Sequence, residues 1–325
     1  MLYARLIVMR LLKAVVVLFL IVIFNFFLIH MAPGDPAAVL AGEAGATDEQ
    51  FLRQLREQFG LDQPIYVQLW RYVSGIAMLD FGYSYRQQMP VFDLIMARMP
   101  ATLLLTGTAF VLSLALGILA GSLAAARAKK PSGSLIMALA LLFYATPLFW
   151  VALMAVVLFS VYLDWLPAYG MYTIGAGYTG LALALDVGKH LILPATTLAL
   201  FFMAIYTRMT RTSMLEASQQ DYVKTARAKG LSPRIIQRRH ILRNALLPII
   251  TLAGLQAGQM VGGAILTETV FAWPGIGRLM YEALMQRDYN LLLGIFFFSA
   301  ALVIVFNILT DLVYRLADPR IKEAS

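Results

Sequence analysis

The chain has 325 residues, of which 60% are apolar and 14% charged, with a net charge of +8 and no cysteine. Soluble domains hold about 45–50% apolar and about 25% charged residues, so this composition excludes an ordinary water-soluble fold and makes a bilayer the solvent. The missing cysteines exclude disulfide frameworks and thiolate metal sites.

Crossing about 30 Å of hydrocarbon takes roughly 20 mostly apolar residues in a helix. Residues 11–31 form the first such run. Arg5, Arg10 and Lys13 flank it. It is too long for the apolar core of a signal peptide, and no small-x-small cleavage site follows, so it reads as a retained span.

Residues 32–100 open with Pro33-Gly34-Asp35-Pro36, which is turn chemistry. Residues 51–60 have apolar positions three and four apart and end on Gly60, as a short amphipathic helix would. Residues 65–79, carrying Trp70 and Tyr72, are a second helical candidate, and 91–99 a third that runs into the next span. Together they read as a small helical cap, the alternative being a loop lying on lipid headgroups.

Five further spans follow at 101–126, 135–163, 190–208, 245–266 and 291–314. The fold class is therefore all-α: a polytopic membrane protein of about six transmembrane helices with an extracytoplasmic helical insertion after the first. The organisation divides into 1–100, the first helix plus cap, and 101–325, a five-helix core. Lys and Arg gather at the N-terminus, in 127–134, in 208–244 and from Arg315 onward, while most acids fall in the alternate loops. Basic residues mark the cytoplasmic side, so both termini are expected in the cytoplasm. Charge distributed by alternate loops is a topology signal, and no nucleic-acid partner is expected.

Loop 209–244 is the longest cytoplasmic segment. Its stretch 216–229 has helix-forming composition, broken by Gly230 and Ser232-Pro233. A cytoplasmic partner or an anionic lipid surface would each explain it. On the other face, Phe271-Ala272-Trp273-Pro274-Gly275-Ile276-Gly277 forces a turn after the fifth span, and a short apolar helix over 278–285 returns toward the membrane as a re-entrant or interfacial element, the alternative being an ordinary aromatic-belt anchor.

No catalytic or metal site is apparent. His30, His190 and His240 share no metal-binding spacing, and there is no nucleophile elbow. Gly188-Lys189-His190 lacks both the first glycine and the Ser or Thr of a phosphate-binding loop. The span interiors are nearly free of charge, which disfavours a gradient-driven carrier. Asn25 and Asn307 read as hydrogen-bonding glue between helices. Small residues mark Gly117-x-x-x-Gly121 and Gly254-x-x-x-Gly258-x-x-x-Gly262, while Pro147, Pro194 and Pro248 are possible soft points.

Residues 221–231 (Asp221-Tyr222-Val223-Lys224-Thr225-Ala226-Arg227-Ala228-Lys229-Gly230-Leu231), followed by His240-Ile241-Leu242-Arg243-Asn244-Ala245-Leu246-Leu247-Pro248, resemble the EAA loop of ABC importer permeases of the dipeptide/oligopeptide/nickel family. Thr267-Glu268-Thr269-Val270-Phe271-Ala272-Trp273-Pro274-Gly275-Ile276-Gly277, Arg287-Asp288-Tyr289 and Pro33-Gly34-Asp35-Pro36 carry the same resemblance, and the long outer segment is similar to the B-type subunit. The general pattern has Glu-Ala-Ala before its glycine, whereas Thr225-Ala226-Arg227 stands here.

The resemblance implies a type I permease fold in a bacterial cytoplasmic membrane, forming half of a path for di- or oligopeptides or related small solutes. It implies a second permease, two ATPase subunits carrying ATP and magnesium, an extracytoplasmic binding protein and lipid as partners, with no cofactor or metal bound by this chain. It assigns ATPase coupling to Asp221, Tyr222, Thr225, Ala226, Arg227, Ala228, Lys229 and Gly230. Gly258, Gly262, Glu268 and Trp273 are candidates for the path or its outer gate. A gradient-driven secondary transporter is the alternative, and no enzymatic activity is expected.

Overall fold

The computed structural model describes residues 2–31, 62–84 and 86–317, with positions 53 and 57. The proline turn at 33–36 and the amphipathic helix expected over 51–60 lie outside the described residues, the two isolated positions apart.

Helices dominate. In chain order they are α1 (Leu2–Met31), α2 (Ile65–Ala77), α3 (Val91–Ala126), α4 (Pro131–Ala145), α5 (Leu148–Val156), α6 (Gly180–Ser218), α7 (Asp221–Ala228), α8 (Arg243–Val270), α9 (Ile276–Met285) and α10 (Tyr289–Ala317). A wide π-helical stretch, Val157–Tyr162, continues α5, and a second one, Ile236–Leu242, leads into α8. The only strands among the described residues, β1 (Tyr83–Ser84) and β2 (Met89–Pro90), pair antiparallel.

Four described helices are long and apolar enough to cross a bilayer, and α4 with α5 makes a fifth if the pair is taken as one bent span. The apolar stretch of α1, Leu12–Leu28, is shorter. These six correspond to the six expected runs. One run differs in form. Residues 135–163 were expected to be one helix, but the axis bends by 100° between α4 and the Leu148–Tyr162 helix. Thr146 turns extended and Pro147 caps α5. Proline has no N–H to continue the ladder, and it drives the residue before it out of the helical region.

The chain forms two compact units, Met1–Ala97 with Met280–Ala301, and Arg98–Leu279 with Leu302–Ser325. The first unit joins the N-terminal segment to a late one.

In the first unit, α2 rests on the C-terminal part of α1. The Phe26 ring meets Tyr72 at 5.8 Å, and His30 Nε2 lies 3.0 Å from Gln68 Oε1. The β-ribbon is held at the start of α10. Ser84 Oγ donates to the Asp288 carboxylate, and Asn290 Nδ2 donates to Tyr83 O at 3.2 Å. Asp288 also accepts from Leu291 N at 3.2 Å, so it caps the first turn of α10, where backbone N–H groups have no helical partner.

In the second unit, α6 is the hub, and no residue from 193 to 207 is exposed. Gly117 and Gly121 of α3 let α6 approach so closely that a Cβ at either glycine would collide with Tyr206 or Thr210. On its other sides α6 stacks Phe201 on Tyr144 of α4 at 5.3 Å and shares a core of Leu198, Phe202 and Tyr206 with Ile249 and Met260 of α8. The connection between α5 and α6 is fixed by Asp186, whose carboxylate accepts from Thr173 N at 2.6 Å and Thr173 Oγ1 at 2.9 Å.

Candidate functional site

The coupling segment is built from a short helix seated by one stripe. Val223 and Ala226, three residues apart, are the buried residues of α7. They join a cluster with Met214 and Ala217 from α6, Ile236 and Ile241 from the π-helical turn, and Ala245 from α8. Asp221, Tyr222, Lys224, Thr225, Arg227, Ala228 and Lys229 are exposed. Ala226, one of the residues that the resemblance assigns to coupling, lies with its small side chain against this chain's own helices. Along the outer face Lys224 Nζ pairs with Asp221 Oδ1 at 2.8 Å, and Thr225 Oγ1 bonds back to Asp221 O at 3.0 Å.

The end of α7 follows from Gly230. Its φ is +73°, in the left-handed region where side chains are strained, and Leu231 N reaches back to Ala226 O at 3.3 Å. That backward bond beyond a left-handed glycine is the standard way to stop a helix and turn the chain. Nothing lies within 4 Å of a Cβ placed on Gly230, so backbone conformation rather than space demands the glycine. Beside α7 a cleft of about 340 Å³ opens between Arg227, Met214, Leu231 and Ile236.

The candidates for the path separate. Gly258 is buried, and a Cβ there would press on Val303 of α10; a Cβ at Gly254, one turn earlier, would collide with Thr310. Those two glycines are a packing seam. Gly262 is exposed, with nothing within 4 Å of a Cβ. It belongs to a surface stripe of Thr251, Leu255, Gln259, Gly262 and Leu266 along α8.

Glu268 and Trp273 are both fully buried. Glu268 Oε1 accepts from Thr102 Oγ1 at 2.7 Å, and Oε2 accepts from Arg278 N at 3.0 Å. Thr102 Oγ1 in turn accepts from Ile276 N at 2.7 Å, and Trp273 Nε1 donates to Ala101 O at 2.8 Å. A carboxylate from the end of α8 thus caps α9 and holds the 271–277 turn on α3. Gly275 and Gly277 are required there, since a Cβ at either would meet that carboxylate. Nothing in the order of residues hints at Thr102 in this role, because 166 residues separate it from Glu268. Ser84 was missed for the same reason.

Among the described residues no group of three or more His, Cys, Asp or Glu is placed to hold a metal ion.

Comparison with known proteins matches residues 117–323 to the family of binding-protein-dependent transport system inner membrane components, and residues 3–106 to the N-terminal component of the same systems. A chain of Brucella abortus (strain 2308) is 39% identical over 318 residues, covering 98% of each sequence. The dipeptide transport system permease protein DppB of Escherichia coli (strain K12) is 38% identical over 319 residues, covering 93% of this chain and 94% of the relative. Among solved structures, an inward-facing MetNI methionine ABC transporter chain superposes with a TM-score of 0.56 at 17% identity, over 69% of this chain and 96% of the other. That likeness confirms a type I permease fold, and none of these matches supports a gradient-driven carrier. The chain belongs to the family of binding-protein-dependent transport system inner membrane components, the polytopic permease subunits of bacterial ABC importers.

Proposed function

We propose that this permease carries di- or oligopeptides and that α7 is the element on which a separate ATPase subunit acts. The named Escherichia coli relative, matched over nearly the whole chain, supports the peptide class. The observation that carries the coupling reading is the division of α7 into two faces. Val223 and Ala226 fasten it to three other segments, while Tyr222, Lys224, Arg227 and Lys229 point outward. A soluble partner can grip the polar face, and its motion passes through the buried pair to α6 and α8 together.

The complete machine then contains a second permease, two ATPase subunits that bind ATP and magnesium, and an extracytoplasmic binding protein. Both termini lie in the cytoplasm with α7. The chain binds no cofactor or metal and catalyses no reaction; hydrolysis belongs to the ATPase subunits. The path runs along the exposed stripe of α8 that includes Gly262. Gly258, Glu268 and Trp273 stand behind that surface as packing and clasp.

The test is copurification of the complex in mild detergent with its ATPase activity measured. Arg227→Glu combined with Lys229→Glu reverses two exposed charges without touching the buried stripe. It is expected to release the ATPase subunits, or to cut binding-protein-stimulated hydrolysis at least tenfold, while the permease pair stays associated. Undiminished association and hydrolysis would remove α7 from the coupling role.

A further inference from the structure

The exposed faces of two spans differ in chemistry. α3 displays Val111, Ala115, Leu119 and Leu123 at intervals of four, all apolar, which is a surface that hydrocarbon accepts. α8 displays Thr251, Leu255, Gln259, Gly262 and Leu266 at intervals of three and four, one continuous stripe on one side of the helix. Within that stripe the Thr251 hydroxyl is already bonded to Leu247 O at 3.3 Å. Gln259 is the exception. At 1.5 Å per residue it stands about 4 Å from the midpoint of α8, its side chain is exposed, and its carboxamide makes no hydrogen bond to a described residue.

A carboxamide carries two donors and an acceptor with two lone pairs. Leaving these unmet in hydrocarbon costs several kcal/mol, so lipid is the wrong environment for this face. Gly262 lies about one turn further along the same stripe, with open space where a Cβ would stand. No member of the stripe is charged.

We propose that Gln259 is a substrate-contacting residue of the translocation path. Its Oε1 accepts from a backbone N–H of the passing peptide and its Nε2 donates to a backbone carbonyl. This rests on the reading of the chain as a peptide permease. It explains why an uncharged amide is used: peptides differ in side-chain charge and share their backbone amides. A charged residue here would hold some substrates and repel others.

The assembled transporter, with its binding protein and ATPase subunits, is reconstituted in proteoliposomes and given two probes: radiolabelled Ala-Ala, and the same dipeptide methylated on its peptide nitrogen. The preference for Ala-Ala is compared between the parent and Gln259→Met, which keeps length and removes the amide. The binding protein discriminates equally in both, so its contribution cancels. Loss of one neutral hydrogen bond predicts a preference reduced about two- to tenfold. An unchanged ratio overturns the proposal.

Placement is read separately, and the absence of native cysteine makes this direct. Gln259→Cys is expected to react with a membrane-impermeant methanethiosulfonate and to be slowed by excess Ala-Ala, while Leu119→Cys stays inert. Reaction of Gln259→Cys only with a lipid-soluble maleimide, or its cross-linking to the second permease, overturns the placement even where Gln259→Met fails to assemble. If the parent complex shows no ATP-dependent Ala-Ala uptake, the peptide-permease reading itself fails. If uptake is intact and the ratio unmoved, only the role of Gln259 fails.

Discussion

At Glu268 one carboxylate does the work of a cap and a clasp. Both oxygens are used, one by the Thr102 hydroxyl and one by Arg278 N. Removing a buried acceptor strands its donors at about 1–3 kcal/mol each. Glu268→Ala is therefore expected to lower the unfolding temperature of the detergent-solubilised complex clearly. Glu268→Gln, whose single carbonyl oxygen can still serve one of the two donors, should cost less. Equal melting of parent and both variants would show that the clasp contributes nothing. From the sequence Glu268 reads as a candidate for the path or its outer gate, and that reading has a physical reason. A lone carboxylate at a helix end is normally wetted, and its buried partners come from a segment that sequence order places far away. Gly230 was legible by contrast, since a glycine between a basic helical stretch and Ser-Pro points to a helix stop, and the structure gives it the left-handed φ of +73° that such a stop uses.

Among the elements, the long apolar runs gave the spans with little ambiguity, because length and composition alone meet the requirements of the bilayer. Failures came where local geometry decides. Pro147 was recognised as a soft point, yet the 100° bend it introduces divides a run that periodicity alone reads as one helix. The β-ribbon has two residues per strand, too few for any alternation to register. The glycine row of α8 shows the limit most clearly. Three equally spaced glycines have two uses: Gly254 and Gly258 seat α10, while Gly262 faces outward. Gly254→Val is expected to overpack the seam against Thr310 and to destabilise by about 1–3 kcal/mol. Adding Thr310→Ala should recover part of that loss in thermal unfolding, because the colliding methyl and hydroxyl are removed and only the Cβ contact remains. If the second substitution restored nothing, the contact between these two helices would not be the source of the cost.

For the molecule as a whole, the charge distribution sets the expected orientation, with α7 inside and the α5–α6 connection outside. Ile174 is 91% exposed on that connection, and Lys224 is exposed on α7. Ile174→Cys should react with an impermeant thiol reagent applied to intact spheroplasts, and Lys224→Cys only after the membrane is inverted. The reverse pattern would reverse the topology and put α7 beyond the reach of a cytoplasmic ATPase. Family was the most legible property of this chain, because it is written redundantly over hundreds of residues. The rotation of each span was the least legible feature, since it is set by packing against neighbours that a single sequence does not display.

The mounting of α7 also limits the kind of force it can carry. Val223 and Ala226, pressed into a cluster with α6, the π-helical turn and α8, bear load better in one direction than in the other. Thrust toward the cluster is opposed by the full stiffness of close-packed helices. Traction away from it is resisted by the separation of Val223 and Ala226 from their neighbours, on the order of 3 kcal/mol of apolar contact, and by the short chain links at 219–220 and 229–232. The joint is therefore a bearing rather than a hook. An ATPase acting on α7 as proposed would drive the helices more stiffly by thrust than by pull, with elasticity within the bundle or the other half of the machine assisting the return stroke.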